Sequence, residues 1–217
     1  MSDCRGFVIA LLGAESTGKT WLAAALAAHL CEQGKRAIAV PEVLREWCTR
    51  ARREPRPEEQ LPIALDQEAR VDAAGPGADI VIADTTALMV AIYSGMMFDD
   101  GELFRFALER QRGYDLTLLC ALDLPWVADG LHRVGPEVRD EVDAQIREAL
   151  ARARIPYRMV YGSGDERLRN ALVAIDSASP EDERANGSAR RWTWSCEKCS
   201  DPDCEHRLFS LRLDREA

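Results

Sequence analysis

Near the amino end the chain reads Gly13-Ala14-Glu15-Ser16-Thr17-Gly18-Lys19-Thr20, which fits the pattern G-x-x-x-x-G-K-[ST] at every fixed position. The pattern works chemically in one setting only. A strand must end, a glycine turn must aim successive backbone N–H groups inward, and a helix must begin beneath them. The flanking residues supply that setting. Phe7 to Leu12 is an apolar run of strand length, and Trp21 to Cys31 reads as a helix closed by Gly34, with Leu22, Leu26 and Leu30 on one side. In such a turn the amides of Gly13, Glu15, Ser16, Thr17 and Gly18 surround a polyphosphate. Lys19 reaches its outer phosphates, and the Thr20 hydroxyl holds Mg²⁺. Nucleotide binding is the chemistry implied.

Downstream, apolar runs alternate with helical patterns. Arg36 to Val40 reads as a second strand and delivers Glu42 to the carboxyl edge of a parallel sheet, where ligands bind, with Arg45 just behind it on a helix start. A solvated charged turn is the alternative for this pair. After a helix from Glu58 to Ala73, the run Asp79 to Asp84 ends on an aspartate in the manner of a strand beside a phosphate loop, where the carboxylate engages Mg²⁺ or the acceptor hydroxyl. Two helices follow, 85–95 and 99–111, and Tyr93 on the first either stacks on a base or packs in the core. Tyr114 to Asp123 reads as a fourth strand. It enters Pro125-Trp126-Val127-Ala128-Asp129, then a helix from Pro136 with Val138, Val142, Ile146 and Leu150 on one face. Arg133 and Arg139 lie at the loop and first turns of that helix. They either close over a transferring phosphoryl group or pair at the surface with Glu137, Asp140 or Glu141. Pro156 to Tyr161 is a fifth strand, and Arg167 in the helix after it either stacks on a base or caps the helix. Five strands alternating with helices predict an α/β fold, a three-layer P-loop sandwich on a five-stranded parallel sheet.

From Ser179 the composition turns polar and charged. The expected organisation is a P-loop domain over 1–177, a linker over 178–191 and a tail over 192–217. Cys4, Cys31, Cys48 and Cys120 are scattered, whereas the other three of the seven cysteines crowd together as Cys196, Cys199 and Cys204, with His206 alongside. Those four side chains are the number a closed tetrahedral zinc site needs, with reduced thiols in a docked tail as the alternative. At 217 residues, 47 % hydrophobic and 30 % charged, the chain has the composition of an ordinary globular protein. A net charge of −9 argues against nucleic acid as a partner. No apolar run reaches membrane-spanning length and no secretory pattern opens the chain, so a cytoplasmic protein is expected.

The runs GAESTGKT, PEVLREW, ADTT, YDLTLLCALDLPWVADGLHR and VYGSGDERL resemble the nicotinamide-riboside kinase domain of NadR-type proteins, within the NadR-like P-loop ATPases, over roughly Phe7 to Ile175. The resemblance implies ATP-dependent phosphorylation of a ribosyl 5′-hydroxyl with Mg²⁺. Gly13, Gly18, Lys19 and Thr20 become phosphate and metal contacts. Glu42, Asp84, Trp126 and Asp129 match positions around the acceptor, with Arg45 and Tyr93 nearby. The expected partner is a small nucleoside-like molecule, with homo-oligomers left open and neither nucleic acid nor membrane expected. The nucleotidyltransferase domain of bifunctional members is not seen, so adenylyl transfer is not expected. The competing expectation is a regulatory module with weak ATPase activity. A GTP switch fits less well, since no N-K-x-D run lies near the fourth strand.

Overall fold

In the computed structural model, which describes residues 5–97, 101–127 and 137–178, the apolar run Phe7–Leu12 is β1, the middle strand of a five-stranded parallel sheet. The other strands are β2 (Ala37–Val40), β3 (Ile80–Asp84), β4 (Leu116–Cys120) and β5 (Arg158–Val160), in the order β2-β3-β1-β4-β5. The helices are α1 (Lys19–Glu32), α2 (Val43–Ala51), α3 (Pro57–Ala74), α4 (Ala87–Met97), α5 (Gly101–Gln111), α6 (Glu137–Ala153) and α7 (Gly164–Asp176). This is the expected α/β sandwich.

Strand periodicity divides the core. Ile9 and Leu11 turn to one face, where Leu22, Leu26 and Leu30 of α1 and Ala171 and Ile175 of α7 cover them. Leu12 joins the opposite core, built on α3 to α6 from residues such as Ile63, Leu88, Leu103, Val142, Ile146 and Leu150. Each fully buried leucine or isoleucine contributes about 1.5–3 kcal/mol, enough for these stripes to fix how the helices face the sheet.

Four expected strands are shorter in the structure: β2 and β3 each begin one residue later, and β4 and β5 are trimmed further by contacts with distant segments. Asp115 lies ahead of β4, and its carboxylate accepts the Val8 amide at 2.8 Å and pairs with Arg5 at 3.0 Å. At the far end Asp123 leaves the ladder and accepts the Gly162 amide, which also cuts β5 to Arg158–Val160. The helix after the glycine loop starts at Lys19 rather than Trp21, because Gly18 takes a left-handed φ of 75° and serves as its cap. Among the described residues no helix is long and apolar enough to cross a membrane. Asp129, Arg133 and the Cys196, Cys199, Cys204 and His206 set lie outside the described residues.

Candidate active site

Parallel pairing places the key residues at one edge of the sheet. Leu11 pairs with Asp84, so the strand-end aspartate stands beside the start of the glycine loop, and the Thr85 amide bonds Leu11 O at 3.2 Å. Gly13 is tightly enclosed. At its φ of 147° an added Cβ would come within 2.8 Å of Thr17 Oγ1 and 3.1 Å of Cys120 O. Thr17 braces the turn from inside, its hydroxyl donating to Ala14 O at 2.7 Å. The first turn of α1 carries no acidic residue and no side-chain cap, so its amides are left for an anion. Lys19 is 8 % exposed, and its Nζ donates to Gly13 O and Ala14 O, both at 2.8 Å. That geometry holds the ammonium over the loop.

Asp84 is 2 % exposed, and its Oδ1 is buried without a hydrogen-bond partner. Burial pushes its carboxyl above the ordinary 3.8, while a hydrogen bond from Thr20 pulls it back; Glu42 raises it, and Lys19 and Arg45 lower it. Thr20, Glu42, Lys19 and Arg45 thus all lie near enough to Asp84 to act on its carboxyl. An orphaned carboxylate oxygen next to a threonine hydroxyl fits the donor set of a magnesium ion, and the bare helix terminus fits a polyphosphate. Arg45 Nε pairs with Glu42 Oε2 at 3.0 Å. A cavity of about 390 Å³ lies over the loop, lined by Ser16 to Trp21, Arg45, Leu124, Pro125 and Val127. A larger one, about 560 Å³, lies at the opposite strand ends near Arg5, Val8 and Tyr114. Its arginines are already committed, Arg5 to Asp115 and Arg110 to Glu68 and Asp72, so the smaller cavity is the candidate site.

Arg139 is 7 % exposed on the first turn of α6; its Nη1 donates to Leu124 O at 3.0 Å, and its Nε and Nη2 are buried without partners. Trp126 Nε1 is likewise buried and unbonded. Tyr93 is half-buried against the core formed by α3 to α6. Glu15 is half-buried in the glycine loop.

Arg167 departs from expectation. It is 0 % exposed; its Nη2 pairs with Asp123 Oδ1, and its Nε donates to Gly162 O at 2.8 Å. No face of the guanidinium is open to a base, and it does not cap the helix. It ties the β5 turn to the end of β4.

Several residues outside any sequence motif also position the site. Gln67, 1 % exposed, accepts the Val43 amide at 2.9 Å and donates to Pro41 O at 3.4 Å, which fixes the turn carrying Glu42. Glu68 accepts the Ala87 amide at 2.9 Å just past Asp84. Gln111 joins Thr86 at 2.7 Å to Thr117 at 3.0 Å. A signal existed for the first two. On α3 they share a buried stripe with Ile63, Ala64 and Val71, where a polar side chain must be hydrogen-bonded.

A family model described as an AAA domain (AAA_28) matches residues 8–167. No curated protein sequence matches the chain. A crystal structure of NadR protein in complex with NR superposes with a TM-score of 0.66 at 20 % identity, over 81 % of this chain and 52 % of that one. A NadR structure in complex with NAD and AMP-PNP gives 0.63 at 19 % identity, over 81 % and 50 %. A deoxyadenosine kinase from M. mycoides, with dCMP and dCDP, gives 0.53 at 12 % identity, over 80 % of this chain and all of that one. The chain spans about half the length of the NadR chains, and at these identities the likeness is one of fold. The family model takes in the glycine loop, both strand-end acids and Arg139, and covers well over half of the sequence, so the chain belongs to this AAA-domain family of P-loop proteins.

Proposed function

We propose that the protein is an ATP-dependent kinase that transfers the γ-phosphoryl group to the 5′-hydroxyl of a small ribosyl substrate, nicotinamide riboside or another nucleoside. The observation that carries this reading is the second acid. Asp84 and Thr20 would supply the protein ligands of a magnesium ion, yet Glu42 lies close enough to act on the Asp84 carboxyl, and Arg45 is paired to it. A second carboxylate beside the metal ligands is placed to take the proton from an attacking hydroxyl. NadR in complex with NR and a deoxyadenosine kinase among the structural neighbours support the same class of acceptor.

The residues divide the work as follows. Backbone amides of 13–20 and the start of α1 hold the phosphates. Lys19 exchanges its two carbonyl partners for the β- and γ-oxygens. Thr20 and Asp84 would hold Mg²⁺, which when bound would neutralise charge on the phosphates. Glu42 accepts the 5′-hydroxyl proton as the new O–P bond forms and the β,γ-bridging bond breaks, leaving the electron pair on ADP. Arg139, with two buried guanidinium nitrogens unpartnered, offsets the charge spread over the equatorial oxygens. Arg45 holds Glu42 in place, and Tyr93, Trp126 and Asp129 are assigned to the acceptor side. Arg133 is assigned with Arg139.

The test is a panel of nucleosides and ribosyl pyridines incubated with Mg²⁺ and ATP and read by mass for a product heavier by one phosphoryl group. ATP hydrolysis with no phosphorylated acceptor would replace this reading with the regulatory one. For the tail, the ligand number of Cys196, Cys199, Cys204 and His206 supports a structural zinc site. Metal analysis of protein prepared without chelator, beside Cys196→Ser, decides it.

A further inference from the structure

Ser16 sits in the glycine loop with φ 54°, a left-handed conformation that is costly for a side chain carrying a Cβ and free for glycine. Such an outlier persists only where its surroundings hold it. Here the hydroxyl is held on both sides: Ser16 Oγ donates to Val127 O at 2.9 Å and accepts the Val127 amide at 3.2 Å. Three residues back, Leu124 O accepts from Arg139 Nη1 at 3.0 Å, and one residue further back Asp123 is pinned by Gly162 and Arg167. Leu124 also lies against the loop, its Cδ1 3.0 Å from where a Cβ on Gly18 would stand.

We infer that Ser16 is a positioning residue that couples the phosphate loop, through the main chain of Leu124 to Val127, to the Arg139 guanidinium. The four-residue segment is gripped by the loop at one end and by the arginine at the other. A shift of the loop as it closes on phosphates is therefore delivered to Arg139 without any direct contact between the two. Glycine at position 16 would relieve the backbone and lose this link, which explains why a residue with a hydroxyl occupies a position that glycine fits better. The inference deepens the kinase reading and rests on it for the role of Arg139.

The experiment uses the full chain carrying Ser16→Gly, Arg139→Ala and both together. Ser16→Gly keeps the fold, with a melting temperature equal to or above wild type. The Val127 amide then exchanges with solvent at least about tenfold faster, because the hydroxyl that accepts it is gone. ATP turnover, with acceptor or by hydrolysis, falls roughly tenfold with KM for ATP little changed, and the double variant is no slower than Arg139→Ala alone. Losses that multiply in the double variant, or an unchanged Val127 exchange rate, overturn the inference. A wild-type protein with no turnover of any kind refutes the kinase reading instead, and the Val127 amide then decides the clasp by itself.

Discussion

Replacing Asp84 by Asn separates stability from function at the centre of the site. The carboxylate is 2 % exposed, one oxygen meets no donor, and its bond to Thr20 supplies only partial compensation. A buried polar group left unpaired costs about 1–3 kcal/mol, more when charged. Asn keeps the shape and an oxygen for Thr20 while removing the charge, so the unliganded variant is expected to gain about 1–2 kcal/mol. For a chain of this size that is about 2–8 °C in melting temperature. The pH dependence has a definite sign. Burial raises the folded carboxyl above 3.8, so the native wild type takes up the proton at higher pH than the unfolded chain. Wild-type stability therefore rises relative to Asn as pH falls through the folded value, and the difference closes near 3.8. With Mg²⁺ and ATP at about a hundredfold their dissociation constant, wild type gains about 2.7 kcal/mol. The variant loses the magnesium-dependent part of that gain. Thermal scans at several pH values with and without Mg²⁺ and ATP measure all of this. An Asn variant that melts lower than wild type without ligand, or that keeps the full magnesium-dependent shift, refutes the reasoning.

Other substitutions test neighbouring parts of the site. Lys19→Ala removes the donor held by two loop carbonyls, and turnover should fall about 100-fold or more while circular dichroism stays unchanged. Arg139→Ala should slow transfer by about 10- to 100-fold yet move stability by no more than about 1 kcal/mol, since two of its nitrogens are buried without partners; kinetics beside a melting curve check this. Asp123→Ala leaves the fully buried Arg167 without its anion and should cost about 2–3 kcal/mol, below the roughly 3–5 of a wholly buried pair because the Asp123 side chain is 32 % exposed; urea unfolding measures it.

Features set by short-range chemistry were readable in the residues. The Phe7 to Leu12 run, the glycine loop and the Leu22, Leu26, Leu30 stripe each carry their own periodicity or pattern. Asp84 is legible as the aspartate that ends an apolar run, Ile80 to Ala83, and Glu42 because strand ends of parallel sheets share an edge. What could not be read depends on contacts between distant segments. Arg167 meets Asp123 across 44 positions, and nothing local marks that guanidinium as buried rather than stacked on a base. The apolar run predicts strand through Asp115 and Asp123, since it shows where pairing is favourable and not where a carboxylate will leave the ladder to take an amide. The Ser16 hydroxyl and Val127 are 111 positions apart, so the clasp is visible only once the sheet has brought β1 and β4 together.

If the phosphate loop serves transfer to a ribosyl hydroxyl, ADP and a phosphorylated acceptor form together. Phosphorus NMR of the reaction with Mg²⁺, ATP and the best acceptor tests it most directly. Wild type should give ADP together with a 5′-phosphomonoester in equal amounts, and Lys19→Ala neither. ADP accompanied only by inorganic phosphate, or a phosphomonoester formed undiminished by Lys19→Ala, would contradict it.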